Sequence, residues 1–400
     1  MLLRGLGMPR ADRSVVVLGA GASRGASFCK PGVQVSPPLD ADFFRQAQQL
    51  DEATYKEYGR PVLDFLRADY PANNLPTLET VFTEVEGFER FQRQFSFRRG
   101  RPSTRYQKQL GHLQALIPAV FRAAFESAAC DWHDRMARAL RSGDAVISFN
   151  YDTLIDDALR RNSDGIWSAK CGYGFDIGQG ATEWSARSRP GPFPSEYLRL
   201  LKPHGSLHWT KIKEDQKELT LRSNPYAQTP ARNNIIPPTW DKTVLSRWPW
   251  KPVWEECSHF LEDVRCLIVI GYSVPATDLM TQALIKSSLS RATLRLLVIV
   301  NPDETARRRV ATLTRPAIRS NTRIIEMATL QEFGQTFDET PDERKRRVAE
   351  AVGLRRAIRN VREKVSEIED NLDIWEVEAH DDRLSDLDRR IDELESRLVE

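Results

Sequence analysis

The stretch Val15-Val16-Val17-Leu18-Gly19-Ala20-Gly21-Ala22-Ser23 is an apolar run that passes directly into a turn with two glycines. A short run rich in β-branched residues is typical of a strand covered on both faces. Glycines let the backbone turn tightly and approach a phosphate, which meets N–H groups at the start of the next helix. The stretch therefore predicts the first strand of an α/β domain and a phosphate-binding turn. A glycine turn without a ligand is the alternative.

Three further apolar runs share this pattern, and each ends in residues that permit a turn. They span residues 145–149, 267–270 and 294–300. Continuous rather than alternating apolar residues favour strands buried between two layers of helices. The sequence thus predicts an α/β fold, a Rossmann-like doubly wound parallel sheet.

The composition between and after these runs predicts the domain organisation. Residues 1–340 form one domain, with a helical insertion at about 36–141 and a lobe rich in loops at about 163–250. From Pro341 the composition becomes charged, and residues 341–400 predict a helical, coiled-coil-like tail. Its apolar seam comprises Leu354, Ile358, Val361, Val365, Ile368, Leu372 and Trp375, then Leu384, Leu387, Ile391, Leu394 and Leu398. Such a seam favours homo-oligomerisation or docking of a partner protein, with an intramolecular hairpin as the alternative.

Charge and cysteine usage exclude several classes of function. The 58 Lys and Arg residues nearly balance 56 Asp and Glu, so the net charge of +2 gives no general attraction to nucleic acid or anionic lipid. No run of about 18 apolar residues could span a membrane. The five cysteines, Cys29, Cys130, Cys171, Cys257 and Cys266, form no closely spaced pair. We therefore expect a cytoplasmic protein without a cysteine metal site.

Polar or small residues follow the later strands at the positions where ligands bind open α/β sheets. Asn150-Tyr151-Asp152 follows the second run, Gly271-Tyr272-Ser273 the third, and Asn301 the fourth. All of these segments have a simpler interpretation as helix caps.

A histidine-containing segment, Lys202-Pro203-His204-Gly205-Ser206-Leu207-His208-Trp209, provides candidates for a general base. Imidazole titrates near neutral pH and can take a proton from a hydroxyl group or from water. His204 and His208 lie in the same segment, so the residues alone leave the choice between them open.

Together these segments, in this order, resemble the sirtuin (Sir2) superfamily. The similarity is greater still to the divergent bacterial SIR2-like branch found in anti-phage defence proteins, in which NYD, HGSxxW and GYS recur and NAD⁺ is destroyed. Glu79, in Leu-Glu-Thr-Val-Phe, resembles a further segment of that branch. The resemblance spans roughly residues 14–335.

The resemblance implies that NAD⁺ is the substrate and that its bond to nicotinamide is hydrolysed. It implies that Asn150 holds the nicotinamide ribose and a water, that His204 accepts a proton, and that Asp152 supports this arrangement. The residues implied in binding NAD⁺ are Gly19, Ala20, Gly21, Ser23, Asn150, Asp152, Gly271, Ser273 and Asn301. A HerA-type ATPase is a further expectation, as a partner protein.

One departure separates the branches of this superfamily. Deacetylases of the sirtuin type carry two cysteine pairs that bind zinc soon after the HG motif. Here no cysteine follows His204 until Cys257, and none is paired. This favours NAD⁺ hydrolysis without a metal over deacylation. A protein deacylase, an ADP-ribosyltransferase and a non-catalytic NAD⁺ sensor are the alternatives.

Overall fold

The structure is a computed structural model. The residues it describes are 12–25, 35–71, 74–95, 104–125, 130–163, 165–170, 172–175, 177, 198–213, 215, 218–222, 224, 226, 234–236, 243–276, 278–335 and scattered helical positions between 357 and 390. The chain divides into two compact units, one of residues 13–335 and one of residues 1–12 with 336–400. Most of the predicted seam of the tail lies outside the described residues. The domain boundary at residue 341 and the oligomeric state therefore stay predictions.

Six parallel strands form the main sheet of the first unit, and four short strands form two small antiparallel pairs. The main sheet contains β1 (Ser14–Leu18), β2 (Ala145–Ser148), β3 (Arg199–Leu201), β8 (Cys266–Ile270), β9 (Leu296–Val300) and β10 (Arg323–Met327). The pairs are β4 (Gly205–Ser206) with β7 (Asn234–Ile235), and β5 (Trp209–Lys213) with β6 (Glu218–Leu221).

The order across the main sheet is β10-β9-β8-β1-β2-β3, and every neighbouring pair is parallel. Counting only these six strands, the order is 3-2-1-4-5-6, which is the order of dinucleotide-binding sheets. Val17 of β1 lies between Ile147 of β2 and Val269 of β8. The strand order reverses between β1 and β8, so the carboxyl ends of these two strands open a crevice. The predicted doubly wound α/β fold is confirmed.

Four strands coincide with the predicted apolar runs, and two were missed. All residues of β1, β2, β8 and β9 are buried, as a continuous apolar run requires. The strand β3 has only three residues. The strand β10 lies at the edge of the sheet and is largely exposed, so it lacks the pattern of a buried strand.

Most of the helices precede β2 in the chain. They are α1 (Ala20–Arg24), α2 (Phe43–Ala47), α3 (Glu52–Thr54), α4 (Arg60–Leu66), α5 (Leu78–Phe95), α6 (Thr104–Phe125), α7 (Asp131–Ala139), α8 (Leu154–Asn162), α9 (Trp250–Glu262), α10 (Leu279–Leu289), α11 (Glu304–Thr314) and α12 (Leu330–Gln335). A π-helical turn at Tyr55–Gly59 joins α3 to α4. The last part of the predicted helical insertion contains two helices, α6 and α7.

The helical insertion between β1 and β2 has its own apolar core. Buried side chains of α2, α4, α5 and α6 share one cluster, which includes Phe44, Leu63, Phe82 and Leu116. Leu154, at the start of α8, belongs to the same cluster and joins the insertion to the sheet. Within the described part of the chain, no helix is both long and apolar enough to cross a membrane.

Candidate functional site

The turns after β1 and β8 meet backbone to backbone at the crevice. The Gly21 amide donates to the Gly271 carbonyl at 2.9 Å. A Cβ on Gly19 would lie 2.5 Å from Tyr272 Cα, and one on Gly271 would lie 2.1 Å from Ala22 N. Gly271 also has a φ of +61°, a conformation that side chains disfavour. These glycines are therefore required by the contact between the two turns, in addition to any role toward a phosphate.

The short helix α1 continues the first turn and has one exposed and one buried face. Ala20 is exposed and Ser23 is buried. The Ser23 hydroxyl donates to Asp152 Oδ2 at 2.7 Å. Arg24, the next residue, pairs with Asp42 of the helical insertion. The side chain of Ser23 thus ties α1 to the turn after β2, which leaves its backbone as the group that could face a phosphate.

Asn150, directly after β2, binds the glycine turn across the sheet. Its Nδ2 donates to the Gly19 carbonyl at 2.9 Å and to Ser23 Oγ at 3.0 Å, and the residue is buried. The Asn150 side chain therefore does not cap the next helix, which was the alternative interpretation. Asp152 does bond to the start of that helix, because its Oδ1 accepts from the Leu154 amide at 3.0 Å. Burial raises the pKa of the Asp152 carboxyl, and the ammonium of Lys202 opposes the shift.

His204 lies at the carboxyl edge and is half-buried. Its ring centroid is 5.2 Å from that of Phe149, the residue before Asn150, and 6.3 Å from that of Trp254. Its Nε2 lies 3.5 Å from the hydroxyl of Thr281 in α10. His204 therefore packs against the residue that precedes Asn150 in the chain, and its side chain remains partly exposed.

His208 has a different environment, although it follows His204 by only four residues. It is fully buried, with Nε2 2.8 Å from the Tyr173 hydroxyl and Nδ1 3.0 Å from Ser206 Oγ. Burial lowers the pKa of His208 to about 3. At neutral pH it is uncharged, with both nitrogens bonded, which makes it a structural residue rather than an exposed base.

Ser273 and Asn301, the predicted site residues after β8 and β9, lie at the same carboxyl edge of the sheet. Ser273 is exposed, whereas Asn301 is buried. Asn301 Oδ1 accepts from the Asp303 amide at 3.0 Å, and Nδ2 lies 3.5 Å from the Tyr272 carbonyl. Asp303 in turn caps α11 through the Thr305 amide. The Asn301 side chain therefore bonds within its own turn, next to the Asp303 cap of α11, as the alternative interpretation of this segment predicts. Of Ser273 and Asn301, Ser273 has the more accessible side chain.

Sequence reasoning missed two buried charged residues beneath this edge, Lys202 and Asp156. Both are fully buried, and the Lys202 ammonium lies 3.0 Å from Asp156 Oδ2. Lysines are seldom buried so completely without a partner. The only sequence signal was the position of Lys202, two residues before His204 at the end of an apolar segment.

Glu79 lies at the start of α5, where its amide donates to Asp40 Oδ1 at 2.9 Å. Burial raises the pKa of Tyr151, and the charges of Asp278, Asp40 and Glu79 add to the shift. The helical insertion therefore brings carboxylates close to the Asn-Tyr-Asp turn.

Metal ligands are sparse in the described part of the chain. Among those residues, no three or more His, Cys, Asp or Glu side chains group closely enough to hold a metal ion. Cys130, Cys257 and Cys266 are buried and form no disulfide, and Cys29 and Cys171 lie outside the described residues. The expectation of a metal-free site stays a prediction.

Comparisons with known proteins give a family match over part of the chain. Residues 144–318 match the family described as SIR2-like domain, a range that includes Asn150, His204 and Asn301 but begins after the first glycine turn. A solved structure titled "Structural Basis for the Mechanism and Regulation of Sir2 Enzymes" aligns with a TM-score of 0.36 and 12% identity, over 84% of this chain and 97% of that one. No curated protein matches the chain. The domain match supports an NAD-related function of the sirtuin type.

Proposed function

We propose that this chain, whose residues 144–318 match the SIR2-like domain family, is an NAD⁺ glycohydrolase that forms nicotinamide and ADP-ribose. The observation that carries the proposal is the bond from the Asn150 amide to the Gly19 carbonyl, at 2.9 Å. It joins the residue proposed to act on ribose to the turn proposed to hold pyrophosphate. His204, half-buried beside them, supplies the candidate base.

The proposed reaction needs little nucleophilic assistance, because the pyridinium of NAD⁺ is a good leaving group. The bond from ribose C1′ to the nicotinamide nitrogen breaks, and nicotinamide leaves with the electron pair. Charge develops on the ribose as in glycoside hydrolysis, and a water forms the new C1′–O bond. His204 takes the proton that this water loses.

The chain mainly has to orient ribose and water, and this is the part assigned to Asn150. Its Nδ2 is already bonded to the glycine turn and to Ser23. The proposal therefore assigns Oδ1 to a ribose hydroxyl or to the attacking water. Asp152 supports this geometry by accepting the Ser23 hydroxyl and the Leu154 amide.

The remaining parts of NAD⁺ are assigned by position along the edge. The pyrophosphate is assigned to the turn of Gly19, Ala20 and Gly21. The amides of Gly19 and Gly21 already donate to the carbonyls of Ile270 and Gly271, so the proposal assigns the Ala20 amide, at the start of α1, as the backbone donor to the phosphate. The adenosine half extends toward Ser273 and the turn of Asn301. The Asn301 amide is bonded within its own turn, so its contribution is to the shape of that turn.

The test is release of nicotinamide from NAD⁺ by the purified full chain, with Asn150→Ala and His204→Ala as variants. Each is expected to lower kcat by about 100-fold or more, as loss of an orienting group or general base does. His259→Ala is the matched control, because this histidine is exposed on α9. A His204→Ala variant with the wild-type rate would exclude His204 as the base.

The same assay separates the alternatives. Release of nicotinamide only with an acylated peptide favours a deacylase, and transfer of label to protein favours an ADP-ribosyltransferase. Binding of NAD⁺ without release favours a sensor. Activity unchanged by a chelator, with no stoichiometric zinc, is expected if the site uses no metal.

The biological setting is proposed from the same resemblance. We propose an effector of anti-phage defence in the cytoplasm, with a HerA-type ATPase as a candidate partner. We propose further that residues 341–400 drive homo-oligomerisation or dock this partner. Light scattering of the full chain against a chain ending at Thr340 tests the tail, and equal masses per chain without a captured partner would contradict it.

A further inference from the structure

A buried ion pair lies directly beneath the candidate site. Lys202 is at the end of β3, two residues before His204, and Asp156 is in the first turn of α8, four residues after Asp152. The ammonium and carboxylate are 3.0 Å apart and have no solvent exposure. Two buried ions gain from such contact only when the remaining hydrogen-bonding capacity of both is also satisfied.

The second oxygen of the Asp156 carboxylate is hydrogen-bonded to a chain of buried polar side chains. This oxygen, Oδ1, accepts the Tyr173 hydroxyl at 2.7 Å, and that hydroxyl lies 2.8 Å from His208 Nε2. Since Tyr173 donates its one proton to Asp156, His208 Nε2 must carry the proton of the neutral ring. His208 Nδ1 then accepts the Ser206 hydroxyl at 3.0 Å.

The ammonium of Lys202 has a second partner in the backbone of the Asn-Tyr-Asp turn. Its Nζ donates to the Asp152 carbonyl as well as to Asp156. The Leu207 amide donates to the neighbouring Tyr151 carbonyl at 3.0 Å. Lys202 and Leu207 stand on either side of His204 in the sequence. The two carbonyls that follow Asn150 are thus both held by residues that flank His204.

We propose that Lys202, held by Asp156, is a positioning residue that fixes the Asn150 turn relative to His204. Apolar residues of similar volume often stabilise a core as well as a buried ion pair does. A charged group is needed here because only a donor at the tip of a long stem reaches the Asp152 carbonyl and Asp156 together. The inference rests on the proposed function for its kinetic consequence, although the clamp itself is a property of the fold.

The kinetic test is the double variant Lys202→Met/Asp156→Asn. Changing both residues leaves no unpaired buried charge, and methionine keeps the length of the lysine stem. We expect kcat for nicotinamide release to fall about 100-fold, because a small misplacement of reacting groups has an effect of this size. KM for NAD⁺ should change little, since the glycine turn is untouched.

The matched control is Asp144→Asn, a buried carboxylate at the opposite end of the sheet. Asp144 accepts from the amides of Ser14 and Arg141, each at 2.9 Å. This variant should lower the melting temperature and leave kcat unchanged. Equal kinetic changes in the control and the double variant would overturn the proposal, because both would then reflect general loss of stability.

Hydrogen exchange gives a readout that does not need turnover. In the double variant, amides in residues 150–157 and 203–208 should exchange faster than in the wild type, and in Asp144→Asn they should not. Unchanged exchange with wild-type kcat would overturn the clamp. If the wild type releases no nicotinamide, the proposed function fails while exchange still decides the clamp. If the double variant does not fold, Tyr173→Phe, which removes one hydroxyl of the network, should show both effects to a smaller extent.

Discussion

The two halves of the same sheet edge are built in different ways. At the ends of β1 and β8, Gly19, Gly21 and Gly271 bring two backbones into direct contact, and a Cβ on any of them would lie within 2.7 Å of another backbone atom. At the ends of β2 and β3, a network of buried polar side chains around Lys202 and Asp156 joins the turns. The first half is therefore sensitive to added volume, and the second to loss of a charge or donor.

The two halves also differ in their sensitivity to pH. Contact between glycine backbones has no titrating group. The other half contains His208, whose pKa burial lowers to about 3, and Asp152, whose pKa burial raises. A fall in pH should therefore change the stability of the β2–β3 half before that of the β1–β8 half. This pH dependence is a second way to distinguish the two halves.

The largest effect is expected from Gly271→Ala in the first half. The new Cβ would meet Ala22 N at 2.1 Å and would force alanine into a φ of +61°. We expect the free energy of unfolding to fall by about 2–5 kcal/mol, measured in urea. Gly165→Ala is the matched control, because Gly165 has a φ of +85° with nothing within 4 Å of its Cβ position. It should lose only about 1–2 kcal/mol. Equal losses would contradict the close approach.

A smaller and pH-dependent effect is expected from His208→Gln in the second half. The unfolded chain protonates this histidine below about pH 6.5, whereas the folded chain does so only near pH 3. Folding stability is therefore lost as the pH falls through this window, by up to about 1.4 kcal/mol per pH unit for this one proton. The variant should show a correspondingly shallower decline between pH 6.5 and 4.

The comparison of slopes isolates the histidine from the carboxylates. Burial raises the pKa values of Asp152 and Asp157, which favours the folded state as the pH falls and so opposes the histidine. This contribution is common to wild type and variant. His259→Gln, at an exposed position, should leave the slope unchanged. A His208→Gln slope equal to that of the wild type would show that His208 is not held neutral.

The smallest effect, and of opposite sign, is expected from Gly111→Ala. Gly111 lies inside α6, is exposed, and has nothing within 4 Å of its Cβ position. Alanine there should raise the free energy of unfolding by up to about 1 kcal/mol, because it lowers the entropy of the unfolded chain. A loss of stability would show that glycines in this protein matter for reasons other than close approach and positive φ.

The sequence by itself was sufficient for the features that are written in neighbouring residues. Four strands could be predicted because a buried parallel strand is a continuous apolar run, and the glycine turns because no other residue suits a tight strand-to-helix turn. The strands β3 and β10 could not, since one has three residues and the other is exposed at the edge. Their place depends on pairing with β2 and β9, which lie elsewhere in the chain.

Apart from the family resemblance, only the tertiary structure distinguished the environments of His204 and His208, and a helix cap from a bond to the glycine turn at Asn150. Asn150 Nδ2 reaches Gly19, 131 residues away in the chain, and the surroundings of His208 come from Tyr173 and, through it, Asp156. Local propensity is carried by adjacent residues, whereas burial, hydrogen-bond partners and pKa depend on which distant segments the fold brings together. The residues of the motif alone left His204 and His208 open as bases, and their different packing is what favours His204 as the candidate.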